Sequence, residues 1–147
     1  MLLFLDIDGV LNKESDWRVP YTLNQECLKI FQECFSGMEI KIILISSWRK
    51  GFVSPGNPNN TPQIRKLEEF FRSMGLRING TVSHTESDRK KAIESFLKRF
   101  SDNYLILDDD LQEYNGQKLS SLYLVNSKTG LAKKDIKAIR KMIKNYT

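Results

Sequence analysis

Leu2-Leu3-Phe4-Leu5-Asp6-Ile7-Asp8-Gly9-Val10-Leu11 opens on an unbroken apolar run and then sets two carboxylates two residues apart ahead of a glycine. An apolar run without alternation reads as a strand, Leu2 to Leu5, buried on both faces, as in a parallel sheet covered by helices. Asp6 and Asp8 then fall at the strand end and just past it. Carboxylates are costly to place there, and in an open α/β sheet that end is where sites gather.

The same arrangement recurs along the chain. Ile42-Ile43-Leu44-Ile45 runs into Ser46-Ser47, and Tyr104-Leu105-Ile106-Leu107 runs into Asp108-Asp109-Asp110. Strands are predicted over 2–5, 40–45, 78–82, 104–107 and 122–125. Helices are predicted between them, with apolar residues at helical spacing. One runs from about Asn24 to Phe35 and ends at Gly37. Another has Thr61 as N-cap and Pro62 at its first position, and stops at Gly75. A third, opened by Arg89-Lys90-Lys91, can be capped by Ser87 and carries Ile93, Phe96, Leu97 and Phe100 on one face. Alternating strands and helices predict an α/β fold with a parallel sheet and right-handed crossovers. The turn-rich stretch at 50–61 follows the two serines and reads as a substrate gate or specificity element rather than a linker.

The chain's 147 residues suffice for one domain, 1–147, and not for a second full one. The N-terminus reads neither as a secretion signal nor as a membrane span, which makes the cytoplasm the expected location. Cys27 and Cys34 are the only cysteines. On one helix their Cα atoms would be roughly 10 Å apart, too far for a disulfide, and with one histidine a structural zinc site is not expected. The formal charge of +5 is concentrated in residues 131–147, which hold six Lys or Arg against one Asp. Ala132, Ile136, Ile139 and Ile143 form an apolar stripe there, so the segment is either a helix with a solvated basic face or a surface for a phosphate backbone.

Carboxylates at a strand end and just beyond it can serve as nucleophile and acid/base toward one phosphorus. A hard cation must then screen them from the phosphate, and with no soft ligands magnesium fits. Asp108 to Asp110 read as metal ligands, or as an acidic turn in which Asp110 caps a helix. Taken alone, Ser46 reads as a simple loop-starting residue.

In their order, Asp6-Ile7-Asp8-Gly9-Val10, Ser46, the cation near Arg89-Lys90 and Asp108-Asp109 resemble the haloacid dehalogenase-like (HAD) hydrolase superfamily. The resemblance implies a Rossmann-like fold whose central parallel sheet is flanked by helices, and a phosphatase working through an aspartyl-phosphate. Asp6 would be the nucleophile and Asp8 the acid and base. Ser46 would hold the phosphoryl oxygens, a role Ser47 could share. Mg2+ would sit between Asp6, the Asp8 backbone carbonyl and the acidic pair, with Asp108 preferred over Asp109 as direct ligand. Lys90 is the first choice for the cation that neutralises the phosphoryl group; a register shift of one makes it Arg89. Arg49 either grips a second phosphate or pairs with a surface acid.

About thirty residues separate the first motif from the second strand, which leaves no room for a large cap. Leu124-Val125-Asn126-Ser127-Lys128-Thr129-Gly130-Leu131, taken with Ser46-Ser47-Trp48-Arg49, resembles the HAD domains of Swiss-army-knife RNA-repair proteins. That offers a phosphorylated RNA or DNA end as the partner, with no membrane involved and the oligomeric state unknown. The main alternative is a catalytically silent HAD-fold module that binds nucleic acid or protein. A response-regulator receiver places its acids and lysine in a different order, and an Asp-x-Asp glycosyltransferase needs a larger donor-binding domain.

Overall fold

The computed structural model describes residues 1–117 and 119–146. Five strands and four helices follow one another among them, alternating except that only a 3-10 turn, Leu111–Tyr114, separates the fourth and fifth strands: β1 Leu2–Leu5, α1 Gln25–Phe35, β2 Lys41–Leu44, α2 Pro62–Ser73, β3 Ile78–Thr81, α3 Arg89–Arg99, β4 Tyr104–Asp108, β5 Leu122–Leu124 and α4 Lys133–Lys144. Every strand pairing is parallel, and the spatial order is β3-β2-β1-β4-β5. The chain leaves β1 toward one edge and returns to pair β4 on its other side. This puts the topological switch point between β1 and β4, where an open α/β sheet forms its binding crevice.

The unbroken apolar runs follow from the two covered faces. Leu3, Leu5, Ile42, Leu44, Leu105 and Leu107 face a core built with α1, α2 and α4, while Leu2, Phe4, Ile43, Ile45 and Ile106 face the core that α3 covers. Phe31 of α1 lies at the centre of the larger core. Its ring sits 4.7 Å from Phe35, 5.6 Å from Phe71 and 5.9 Å from Phe70. Each such ring contributes about 1.5–3 kcal/mol by leaving water. Cys27 and Cys34 are free and buried, as expected of two thiols on one helix. Burial pushes them up to about 11 and about 12, which keeps them as inert thiols.

Several boundaries differ from the sequence reading. Asp88, not Ser87, caps α3, its carboxylate accepting the Lys91 N–H at 3.2 Å. Thr61 precedes α2 as expected, but its hydroxyl makes no capping bond. The 50–61 stretch folds back onto the helix that follows it. Asn60 and Glu68 pin it to α2: the Glu68 carboxylate accepts from Gly56 N at 2.6 Å and Asn60 Nδ2 at 2.9 Å, and Asn60 Oδ1 accepts from Val53 N at 2.6 Å. Among the described residues no cap domain interrupts the sheet and no helix is long and apolar enough to cross a membrane. Thr147, the last residue of the basic segment, lies outside them.

The stretch from Asn126 to Leu131 ties β5 and α4 back to the loop after β1. Leu131 N donates to Val10 O at 2.9 Å, Glu14 N donates to Ser127 O at 2.9 Å, and Gly130 turns with φ +60°. A Cβ on Gly130 would lie 2.6 Å from both Asn12 O and Cys27 Sγ. Gly130→Ala should therefore cost about 1–3 kcal/mol through overpacking and the left-handed backbone. Urea unfolding measures this directly; an unchanged midpoint would mean that the loop does not clamp the two halves.

Candidate active site

Asp6 continues β1, its N–H donating to Leu107 O of β4 at 3.0 Å, so its side chain stands at the switch point and is almost fully buried. The chain then turns through Gly9 at φ +86°. A Cβ on Gly9 would fall 2.2 Å from an Asp109 carboxylate oxygen, so the glycine makes room for that acid. Asn12 closes the turn from inside. Its Oδ1 accepts from Gly9 N at 2.8 Å, and its Nδ2 donates to Asp8 Oδ1 at 2.9 Å and to Thr22 O at 2.7 Å. The other Asp8 oxygen accepts from the Trp48 indole N–H at 3.3 Å. Asp8 is thereby aimed from both sides while remaining partly exposed.

At the end of β2, Ser46 is buried and its hydroxyl oxygen accepts from Trp48 N at 3.2 Å, which starts a 3-10 turn over Ser47–Gly51. Arg49 forms no ion pair with an acid among the described residues. Its Nη1 donates to Ile45 O at 3.1 Å and Ser46 O at 2.9 Å, while Nε is buried without a hydrogen-bond partner among the described residues. Burial, and then the Arg89 charge, lower its affinity for the proton.

At the end of β4, Asp108 is fully buried and accepts four hydrogen bonds. Oδ1 takes the N–H groups of Asp109 (2.8 Å) and Asp110 (3.1 Å); Oδ2 takes Arg89 Nη1 (2.8 Å) and the Tyr114 hydroxyl (2.7 Å). Arg89, at the first position of α3, also lies 3.8 Å from Asp6 Oδ2 and 3.8 Å from Glu113 Oε2. Burial alone would lower the guanidinium's proton affinity, but the carboxylates of Asp108 and Asp6 outweigh it and the net shift is upward. Lys90 forms no ion pair among the described residues, because a neighbour on a helix points about 100° away. Asp110 caps the following 3-10 turn by accepting from Gln112 N at 2.9 Å.

Asp6, Asp108 and Asp109 each present a carboxylate oxygen within 4.8 Å of the others. Burial holds the Asp6 proton affinity well above the usual carboxylate range, and the Asp108 charge adds to the effect. Burial likewise raises Asp109 to about 6. The Asp6 and Asp109 side chains lie within hydrogen-bonding reach of each other, so a proton or a cation must hold them together. Three hard carboxylate donors gathered in this way suit a magnesium-sized ion. Asp109 is the acid free to meet it, since the Asp108 carboxylate is already engaged by four donors.

Of the residues expected from the sequence, Asp6, Asp8, Ser46, Ser47, Arg89 and Asp109 line one open cleft of about 370 Å3. Asp108 lies beneath it, and Arg49 and Lys90 do not line it. Sequence reasoning missed Asn12, Tyr114 and Glu113, and gave Trp48 no role in aiming Asp8. An amide three residues after a turn glycine was the available signal for Asn12; Tyr114 had none, because its partner lies across the packed fold.

Residues 2–136 match the family model for the HAD domain in Swiss Army Knife RNA repair proteins. No curated protein and no solved structure matched the chain. The match spans all five strands and every acid of the cleft, and the chain belongs to this HAD domain family.

Proposed function

We propose that the chain is a magnesium-dependent phosphomonoesterase that works through an aspartyl-phosphate on Asp6 and acts on phosphorylated nucleic-acid ends. The observation that carries this reading is the convergence of Asp6, Asp8, Ser46, Arg89 and Asp109 on one open cleft at the switch point. The Asp6 carboxylate attacks phosphorus as the bond to the leaving oxygen breaks, and Asp8 gives that oxygen its proton. Asp8 then takes a proton from water, whose oxygen bonds to phosphorus and frees Asp6. Arg89 and the Ser46 hydroxyl face the phosphoryl oxygens as their charge shifts. Asp6, Asp109 and the Asp8 backbone carbonyl would hold Mg2+, which screens the nucleophile from the phosphate dianion when bound.

Nucleic-acid ends are favoured by the family description, by a cleft with no cap above it, and by the basic α4. Asp135, the one acid of α4, is buried against Ala132 N and the Tyr123 hydroxyl, so it subtracts little from the exposed positive face. The first turn of α4 follows Ser127, which lines the cleft, and twelve residues carry its far end about 18 Å away. Lys133 and Lys134 are therefore the helix cations nearest the site.

Wild-type protein with Mg2+ should release phosphate from a chromogenic aryl phosphate and from a phosphorylated oligonucleotide, and Asp6→Asn should release none. Arg89→Ala should lose about 10²–10³ in kcat, whereas Lys90→Ala should stay within about twofold, as expected of a surface change. Oligonucleotide binding without turnover would return the chain to the silent binding module.

Metal binding has its own test. Asp109 has a folded value of about 6 and an ordinary value near 3.9. Between these pH values the folded state keeps a proton that the unfolded state has lost, so the acid's contribution makes metal-free stability fall as pH rises from about 4 to about 6. Mg2+ takes the proton's place, so its gain in Tm should be larger at pH 7.5 than at pH 5 and should vanish in Asp109→Asn. An equal gain at both pH values, or one that survives in Asp109→Asn, would place the ion elsewhere.

A further inference from the structure

A second recess, of about 430 Å3, opens beside the acidic cleft and shares Asp8, Trp17 and Ser47 with it. Its remaining walls are largely apolar: Tyr21, Val19 and Trp48. Among the described residues, Asp8 is the only charged one lining it. Trp17, Val19 and Tyr21 are 45%, 65% and 50% exposed, and they are three of the five large hydrophobic residues exposed among the described ones. Such residues in the open are unusual unless something covers them.

These side chains are held in place. The Trp17 indole N–H donates to Asn12 Oδ1 at 2.9 Å, and that same amide positions Asp8. Tyr21 has φ +61°, a left-handed backbone rare for an aromatic residue, and its ring meets the buried Trp48 edge-on at 5.2 Å. Trp48 in turn donates to Asp8. The recess therefore begins at the carboxylate that would protonate the leaving oxygen, and whatever that oxygen carries is directed onto three aromatic side chains.

We propose that Trp17, Tyr21 and Trp48 form a stacking subsite for the nucleobase adjoining the scissile phosphate. The assignment rests on the phosphomonoesterase reading above and supplies its specificity. A flat, uncharged ring system suits aromatic walls that carry no cation to grip a second phosphate, and base–aromatic stacking tolerates any sequence because every base has a π-face. The exposed Ser47 hydroxyl offers a hydrogen-bonding partner to the base edge or sugar.

Tyr21 is the cleanest residue to change, since Trp17 and Trp48 also hold Asn12 and Asp8. Asparagine tolerates the left-handed backbone, so Tyr21→Asn removes the ring without forcing the turn, and Tyr21→Phe keeps it. The substrates are a phosphorylated oligonucleotide and the same oligonucleotide with an abasic residue at the phosphorylated end. Wild type and Tyr21→Phe should prefer the base-bearing end by about tenfold or more in kcat/KM, mainly through KM, and Tyr21→Asn should lose most of that preference. Equal turnover of both ends by wild type would overturn the subsite and leave the phosphatase reading intact.

If neither end is hydrolysed, the phosphatase reading fails and binding decides the subsite. Trp17 and Trp48 are the chain's only tryptophans and both line this recess, so tryptophan fluorescence excited selectively over the five tyrosines reports ligand binding there and, through Trp17, at the adjoining cleft. Quenching at a lower concentration of the base-bearing oligonucleotide than of the abasic one supports stacking; identical titrations exclude it.

Discussion

Three carboxylates brought within 4.8 Å of one another at the ends of two adjacent strands are the constraint around which the rest of this site is arranged. Two like charges about 4 Å apart repel by about 4 kcal/mol at the effective dielectric of a protein surface. Arg89 offsets part of that repulsion from the first turn of α3, although a helix N-terminus is a poor place for a cation, by about 0.3–1 kcal/mol. Its 2.8 Å contact with the fully buried Asp108 outweighs that penalty. Tyr114 and two backbone N–H groups complete the Asp108 shell, and Asp6 and Asp109 remain as the facing pair that calls for a proton or a cation.

The sheet produces this crowding because its order places β1 beside β4. The strands themselves, though not their spatial order, were legible from the apolar runs. Leu2 to Leu5 and Tyr104 to Leu107 could be apolar throughout only if both faces were covered, and each run ended in acids. The strand positions and their parallel sense followed from that pattern, as did the amphipathic faces of α1, α2 and α4. Asp6, Asp8, Ser46 and Asp109 were legible for the same reason: they follow directly from strand ends.

Features set by contacts distant in sequence were not legible. Ser87 and Asp88 are both good N-caps, and the choice between them turns α3 by one residue, which decides whether Arg89 or Lys90 reaches the carboxylates. Only the packed helix fixes it. Asp108 is the last residue of β4 and Asp109 the first beyond it, and their sequence positions alone do not show which partners each carboxylate meets. Asp108 is turned inward to Tyr114 and Arg89, while Asp109 enters the space left by Gly9. The 50–61 loop was legible as a turn-rich stretch, but the buried Glu68 that pins it comes from a helix whose sequence shows only an exposed-looking glutamate.

Asn12 joins the chemistry to the surface beside it. One amide group meets Gly9 N, Asp8, the Trp17 indole and Thr22 O, so the turn, the acid/base carboxylate and the aromatic wall share a single point of attachment. Both of its polar atoms are committed, and the residue is buried. Losing it would leave Gly9 N and the Trp17 N–H without their acceptor and would release Asp8 on one side, so its effects on rate and on leaving-group preference would not be separable. Tyr21 touches the same wall through Trp48 and has no contact with either carboxylate among the described hydrogen bonds. On the proposed function, recognition of the leaving group can therefore vary in the segment from Trp17 to Tyr21 while the strand ends, to which the phosphoryl chemistry is assigned, stay fixed by the sheet.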